Sequence, residues 1–526
     1  MWRRNAADTN QGGDFTPNYI KKILISRSLI TVILLILQFL FYALLANIIY
    51  TFSYALYLVA LALSIWLALY ILGLKNGPVD VKLPWVVLIL LFPVFGSIFY
   101  LLFRNQKVRK KIRLNIESQA YATSKVIHDA TDTYDTLKEL DRSIYNQSKY
   151  IFKTTNMPIY QNTESKYFEI GEEYYKDLIE ELKKAEKFIF IEYFIIKMGT
   201  MWNTIFNILK EKAASGVEVR ILYDDFGCIT SLPTNYKQHI EKYGIKCEVF
   251  NTIYPIVTLA HNNRDHRKIV VIDGKVGFTG GINLADEYIN KQSRFGHWKD
   301  TGVMIKGDAV KSFTLMFLEA WHIYRDKNED YTQFVVEPQT NNSKEFIQPY
   351  LSTPMDDEEI VARNVYVNIL NSATDYVYIT TPYLILDPEL KAALINAGKR
   401  DVDVRIITPG IPDKKYVFTV TRSEYADLLK NNIRIFEYTP GFIHAKNVVA
   451  DDKVATCGSI NFDNRSFYHS YECGLFMYNS HCVNEIKEDF IKTQEISKEI
   501  PKDYTKTLST WCKIKSAILR VLIPLL

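Results

Sequence analysis

Two stretches of the chain repeat one pattern of nucleophilic and cationic side chains. His266-Arg-Lys268-Ile-Val-Val-Ile-Asp273 and His444-Ala-Lys446-Asn-Val-Val-Ala-Asp451 both read HxKxxxxD, and each runs on into a small-residue turn with an asparagine, Gly280-Gly281-Ile-Asn283 and Gly458-Ser459-Ile-Asn461. With nine histidines in the chain, a single copy would be a weak signal, because a solitary histidine is more often structural. Two copies with the same downstream glycine and asparagine are not chance. Brought together, two imidazoles, two ammoniums and two carboxamides suit a phosphodiester. One imidazole can attack phosphorus while the other protonates the leaving alkoxide, and the lysines and asparagines neutralise the non-bridging oxygens as charge builds. The set has no metal-ligand pattern, so no metal and no cofactor are expected.

Such a site needs elements that carry distant residues to one place. Residues two apart in a strand share a face, so His266 projects with Lys268 and His444 with Lys446. Ile269 to Ile272 keep the first of these strands buried. Gly280 and Gly281 let backbone approach a ligand, and Gly458 and Ser459 hold those places in the second copy. Asp273 and Asp451 complete the catalytic motifs but stand an odd number of residues from their histidines, which predicts structural salt bridges or turn hydrogen bonds on the opposite face. A histidine nucleophile needs an acceptor on its other nitrogen, and Asp300 and Glu472, each opening a strand-like run, are the candidates. His261 and His297 are further candidates for the pocket wall, and Glu192 and Tyr383, at equivalent places after buried strands, for its entrance. The other histidines read as surface or packing residues.

The motifs belong to a larger duplication. AEKFIFI at Ala185–Ile191 matches ATDYVYI at Ala373–Ile379, and VEVRIL at Val217–Leu222 matches VDVRII at Val402–Ile407, in the same order ahead of each motif. Short β-branched and aromatic runs alternate with amphipathic stretches, an α/β pattern. The expected fold is therefore two similar α/β halves, 151–335 and 336–500, facing each other across a pseudo-two-fold axis. A chain of 526 residues with 48% hydrophobic and 23% charged side chains is neither disordered nor low-complexity. Its net charge of +4 is too even for a protein coated along its length by nucleic acid. Six cysteines without CxxC spacing read as reduced, buried thiols.

These residues resemble the phospholipase D superfamily, whose signature is the duplicated HxKxxxxD followed by GGxN or GSxN. Within it, His266–Gly274, Asn461–Phe467, Thr381-Pro-Tyr383, His297-Trp-Lys-Asp300 and the apolar segment from Leu83-Pro-Trp to Pro93-Val-Phe-Gly96 are similar to the bacterial cardiolipin synthase family. The likeness runs from about residue 70 to the end. It implies that one phosphatidylglycerol forms a phosphohistidine and releases glycerol, and that the hydroxyl of a second resolves it into cardiolipin. It also implies His266 as nucleophile and His444 as general acid and then base, with the pseudo-symmetry leaving the reverse open. The implied partners are phosphatidylglycerol, cardiolipin and an anionic bilayer, without nucleic acid. Ser470, where the family usually has asparagine, and Asp452, a second acid after Asp451, depart from the pattern without touching the His/Lys/Asn set. A related phosphatidyltransferase or a phospholipase D hydrolase would share this core. A catalytically silent membrane scaffold would have lost one of the four His and Lys residues, and all four stand.

Ahead of the duplication, Ser28 to Leu74 contains no Asp, Glu, Lys, Arg or His. As one helix it would measure about 70 Å against a hydrocarbon core of about 30 Å, so it is expected to turn back as spans of about 28–50 and 52–74. A third run, 83–103, carries Pro93 and Gly96 and reads as a broken or re-entrant segment of a membrane region 28–104. Basic residues in the 1–27 tail and from Arg104 to Arg113 predict a multi-pass protein of the cell membrane with its catalytic halves on the cytoplasmic face. The basic run after Phe103 also suits anionic lipids. Residues 105–150 read as a connector. Residues 505–526 read as a basic amphipathic helix that lies in the membrane interface or packs on its own domain. The sequence carries no signal for an oligomeric state.

Overall fold

The computed structural model describes residues 27–48, 53–73, 79–103, 110–127, 131–252, 263–323, 329–336, 343–354, 359–504 and 510–522. The basic tail before Arg27, residues 49–52 of the expected reversal, Arg104 to Arg109, His128 and His261 lie outside the described residues.

Strands of the first half are β1 (Thr163–Phe168), β2 (Phe188–Tyr193), β3 (Glu218–Asp224), β4 (Lys246–Phe250), β5 (Arg264–Asp265), β6 (Lys268–Ile272), β7 (Val276–Gly280), β8 (His297–Lys299) and β9 (Gly302–Gly307). Those of the second are β10 (Phe346–Ser352), β11 (Tyr376–Thr380), β12 (Asp403–Pro409), β13 (Arg434–Tyr438), β14 (Gly441–Ile443), β15 (Asn447–Ala450), β16 (Val454–Gly458), β17 (Ser470–Tyr478) and β18 (Ser497–Glu499). The main sheets run β1-β9-β7-β6-β2-β3-β4 and β10-β17-β16-β15-β11-β12-β13-β18. Apart from the added β18, the two orders correspond strand for strand. In each, three parallel strands (β2-β3-β4 and β11-β12-β13) are extended by antiparallel ones through the motif strands β6 and β15.

Apolar content explains the layering. β2 (FIFIEY) and β11 (YVYIT) are buried at every residue, as strands covered on both faces must be. Helices Thr200–Ala214 and Pro388–Lys399 make the first parallel crossovers, the latter opening on Asp387, whose side chain accepts from Leu390 N–H, with Pro388 at the first turn. Phe190, Val271 and Phe317 of the first half share one core with Tyr378, Leu475 and Phe490 of the second. The two halves therefore pack as one body.

Two short strand pairs cross between the halves. β5 runs parallel to the start of β17, aligning Arg264 with Ser470 and Asp265 with Tyr471. β8 runs parallel to β14, aligning His297 with Gly441 and Lys299 with Ile443.

The connector differs from expectation. Helix Arg142–Thr155 runs through residue 150, and Tyr134, Leu137, Ile144 and Ile151 belong to the core of the second half. Nearer the N-terminus lie helices Arg27–Ile48, Ser53–Gly73, Val79–Leu91 and Pro93–Phe103. Among the described residues, one helix, over Leu56–Gly73, is long and apolar enough to cross a membrane; Leu35–Leu44 and Lys82–Leu91 are shorter apolar stretches. The 83–103 run is split before Pro93, and its two helices pack closely where a Cβ at Gly96 would collide with the Leu88 carbonyl. The C-terminal helix Thr510–Leu522 packs against helices Lys415–Lys430 and Val79–Leu91.

Candidate active site

The crossing strands position the two histidines. β5 ends just before His266, whose backbone N–H donates to Tyr471 O at 2.9 Å; β14 ends just before His444, whose N–H donates to Lys299 O at 2.7 Å. Each register therefore lays a histidine of one half beside a carboxylate of the other. His266 Nδ1 lies 3.0 Å from both carboxylate oxygens of Glu472, and His444 Nδ1 lies 2.6 Å from Asp300 Oδ2.

Both carboxylates are held in turn. Glu472 accepts from Ser459 Oγ and, at 2.7 Å, from Ser466 Oγ. Asp300 accepts from Thr301 N–H at 2.9 Å, and a Cβ at Gly281 would collide with its Oδ1 and stand 3.0 Å from the His444 carbonyl oxygen. Glycine is what lets this turn close over the carboxylate. Where the first half has Gly281, the second has Ser459, and there the added hydroxyl becomes a donor to Glu472.

The lysines join the cluster from the motif strands. Lys268 Nζ donates to His266 O at 2.5 Å; Lys446 Nζ donates to the His444 carbonyl and stands 2.9 Å from His444 Nδ1. Burial drives both imidazoles well below their ordinary value, and the Lys268 and Lys446 charges push the same way. Both rings are therefore neutral near pH 7, and an Nδ1–H given to the carboxylate leaves the Nε2 lone pair for chemistry. Burial also pushes Lys268 down to about 8 and Lys446 to about 7, and pushes Asp300 and Glu472 up to about 7. The side chains of His266 and His444 keep 14% and 9% exposure, enough to be reached from solvent.

Other expected residues take different places. Asp273 accepts from the backbone N–H groups of Glu186, Lys187 and Phe188 at 2.7 to 2.9 Å, and Asp451 from those of Thr374, Asp375 and Tyr376 at 2.7 to 2.9 Å. Both aspartates pin the entry of a neighbouring strand and stand apart from the His/Lys cluster. The Asn283 side chain accepts from Ile195 N–H at 3.1 Å and donates to Tyr288 OH at 2.7 Å, so it braces the wall behind His444. Asn461 is buried with its Oδ1 unpartnered, while its backbone N–H donates to Ser466 Oγ at 3.2 Å. Gly280 sits at φ +151 against the Thr301 carbonyl, and Gly458 abuts the Cys473 carbonyl.

The expected entrance residue Glu192 is a correction. It is fully buried and ion-paired with Arg267 at 2.8 Å, because the residue after His266 points to the other side of its strand. His297 turns to Tyr438 OH at 2.8 Å, and half-buried Tyr383 donates to Asp413 at 2.6 Å. Sequence reasoning missed Ser466, although it lies inside the Asn461–Phe467 block. It also missed the aromatic wall: Phe194 at 5.1 Å from the His266 ring, and Tyr288, Trp298 and Phe442 at 5.5 to 5.7 Å from His444. Among the described residues, the one donor group close enough to hold a metal, His481, Cys482 and Glu485, contains no motif residue.

Comparison with known proteins extends this geometry. Residues 178–321 and 366–493 match the family described as cardiolipin synthase, PLD-like domain, and residues 62–105 match phospholipase D-nuclease N-terminal. The chain is 42% identical over 464 residues to an uncharacterised protein of Streptococcus mutans, covering 87% of this chain and 99% of that one. It is 32% identical over 460 residues to a cardiolipin synthase of Alkalihalophilus pseudofirmus, covering 87% and 91%. The phosphatidylserine synthase structure from Haemophilus influenzae superposes with a TM-score of 0.54 at 14% identity, over 72% of this chain and 98% of that one, a likeness of fold.

Proposed function

The chain belongs to the bacterial cardiolipin synthase family of the phospholipase D superfamily, enzymes of the phosphatidyltransferase type, and from that premise we propose that it joins two phosphatidylglycerols into cardiolipin and glycerol. The observation that carries the reading is the crosswise hold on the two imidazoles, His266 by Glu472 and His444 by Asp300.

In the first step His266 Nε2 attacks phosphorus, the P–N bond forms and the bond to the glycerol oxygen breaks. His444 delivers a proton to that oxygen. The arriving phosphodiester anion favours the cationic form of His444 and so loads the acid for this step. In the second step neutral His444 takes the proton from the hydroxyl of the next phosphatidylglycerol, whose oxygen displaces His266 from phosphorus. Lys268 and Lys446 neutralise the non-bridging oxygens in both steps. Glu472 and Asp300 stabilise each imidazolium as it forms, which is triad logic distributed over two halves.

The reading places the enzyme in the cell membrane as a multi-pass protein with its halves on the cytoplasmic face. Support comes from the apolar N-terminal helices, where Leu63, Trp66 and Leu69 are 60%, 62% and 63% exposed, and from the basic flanks of that region. The test incubates the purified chain with headgroup-labelled phosphatidylglycerol, beside His266→Ala, and separates the lipids. Cardiolipin with free glycerol, lost in the variant, supports the reading. Phosphatidic acid alone makes water the acceptor, and no turnover of any phospholipid overturns it.

A further inference from the structure

The repeat extends past the buried strands into two exposed turns. The register that aligns VEVRIL with VDVRII continues to place Phe226, just beyond β3, opposite Ile411, just beyond β12. Both are exposed, at 49% and 40%, and Tyr416 nearby is 44% exposed. A single exposed apolar residue is ordinary. The same register position exposed in both halves, beyond the C-terminal ends of parallel strands, is a paired feature of the rim outside the His/Lys cluster.

Each turn is linked to a histidine through one intervening group. Gly227 packs on the Phe194 carbonyl so tightly that a Cβ would collide, and the Phe194 ring meets His266 at 5.1 Å. Ile411 N–H donates to Gly441 O at 3.1 Å, at the start of the strand that leads into His444. Each turn also has cations beside it. The Arg465 guanidinium, from the opposite half, stands 6.0 Å from the Phe226 ring, and exposed Lys414 and Lys415 lie between Ile411 and Tyr416. Arg465 acts electrostatically on His266 and Lys414 on His444.

We propose that these paired turns dock the mouth of the site on an anionic phospholipid surface, Phe226 and Ile411 entering the acyl boundary while Arg465 and Lys414 meet the headgroup phosphates. The inference rests on the phosphatidyl-transfer reading and adds how the substrate is reached. Each turn also carries an acid, Asp225 or Asp413, and the apolar tips with Arg465 and the Lys414-Lys415 pair beside them are what an anionic interface selects. A chain of contacts also joins the rim to the apolar helices: helix Lys415–Lys430, which begins at this rim, packs on Thr510–Leu522, where Trp511, Ile514 and Ile518 are exposed, and that helix packs on Val79–Leu91.

The test uses the full chain in nanodiscs of phosphatidylglycerol or of phosphatidylcholine. Docking predicts slower amide exchange at residues 225–229 and 411–416 in phosphatidylglycerol discs alone; equal exchange in the two overturns it. In a second arm, Phe226→Ser/Ile411→Ser is expected to lose about tenfold or more in kcat/KM on bilayer phosphatidylglycerol while changing turnover of a short-chain, monomeric phosphatidylglycerol by about twofold or less. Leu140→Ser, at a 58% exposed site on another helix, controls for the loss of an apolar surface residue. Equal loss on bilayer and monomer makes the turns part of the pocket or the fold and overturns docking. A wild-type chain inert on every phosphatidylglycerol overturns the functional reading instead, and the exchange arm still decides the surface.

Discussion

Glu472 and Asp300 are carboxyls that burial pushes up to about 7, beside Lys446 and Lys268, which burial pushes down to about 7 and about 8. Lowering the pH through that range protonates the carboxylates and takes the charged acceptor from each imidazole. Raising it discharges the ammoniums and removes the positive field that receives phosphate. The expected kcat/KM profile is a bell with its maximum near neutrality, its limbs belonging to the coupled cluster rather than to single residues. Glu472→Gln, which keeps the shape but not the charge, is expected to lower kcat by about 10² to 10⁴ without unfolding the chain; an unchanged kcat would remove Glu472 from the mechanism. Asp451 makes the opposite case. Its carboxylate serves the backbone entry of β11, so Asp451→Ala is expected to cost about 1 to 3 kcal/mol of stability, read as a lower thermal midpoint, with a smaller effect on kcat than Glu472→Gln.

The strands that unite the site are short, β5 of two residues and β8 and β14 of three each. Gly281→Ala would push a methyl into Asp300 and the His444 backbone, where β8 and β14 meet. It is expected to lower kcat by about 10²-fold, as small misplacements of a reacting group do, at an overpacking cost of about 1 to 3 kcal/mol; steady-state kinetics beside thermal melts separate the two effects. The long strands were legible because their signal is long: the runs around Phe190, Ile221, Ile379 and Ile406 are apolar and occur twice in one order. Strand parity put Asp273 and Asp451 on the face away from the histidines, and their carboxylates bind backbone there. The crosswise pairing was not legible. β5 and β14 are two- and three-residue strands with no periodicity to read, and their partners are distant in sequence. The packing of residues 131–155 was hidden for another reason: Ile144, Gln147, Ser148, Ile151 and Thr155 recur at helical spacing, but a buried stripe made largely of polar side chains does not say that it packs on the second half's core. Glu192 misled because β2 runs on past the apolar residues to Tyr193, so Glu192 lies inside the strand, where its side chain meets Arg267, whereas Tyr383 lies beyond the end of β11.

At the scale of the whole molecule, each half supplies one imidazole and the acceptor for the other's, so both steps of the proposed reaction draw on both halves. An aryl leaving group can separate them, because a phenolate departs without a proton and makes the general acid dispensable in the first step alone. With a p-nitrophenyl phosphatidyl ester, His444→Ala is expected to release about one equivalent of nitrophenol per chain and then stall, since no base remains to activate the acceptor hydroxyl. The phosphorus of the substrate, still esterified to its diacylglycerol or, after alkaline deacylation, to glycerol, should then be recovered on His266. Asp300→Asn should behave in the same way, with slower decay after the burst, because Asp300 orients His444. His266→Ala should give no burst, and Glu472→Gln, acting from the other half, a slowed one. A burst retained in His266→Ala and lost in His444→Ala would exchange the roles of the two halves while preserving the crosswise pairing. A burst whose rate follows Asp300 in place of Glu472 would mean that the carboxylates act on the nearer histidine in sequence, against the register that β5 and β14 impose.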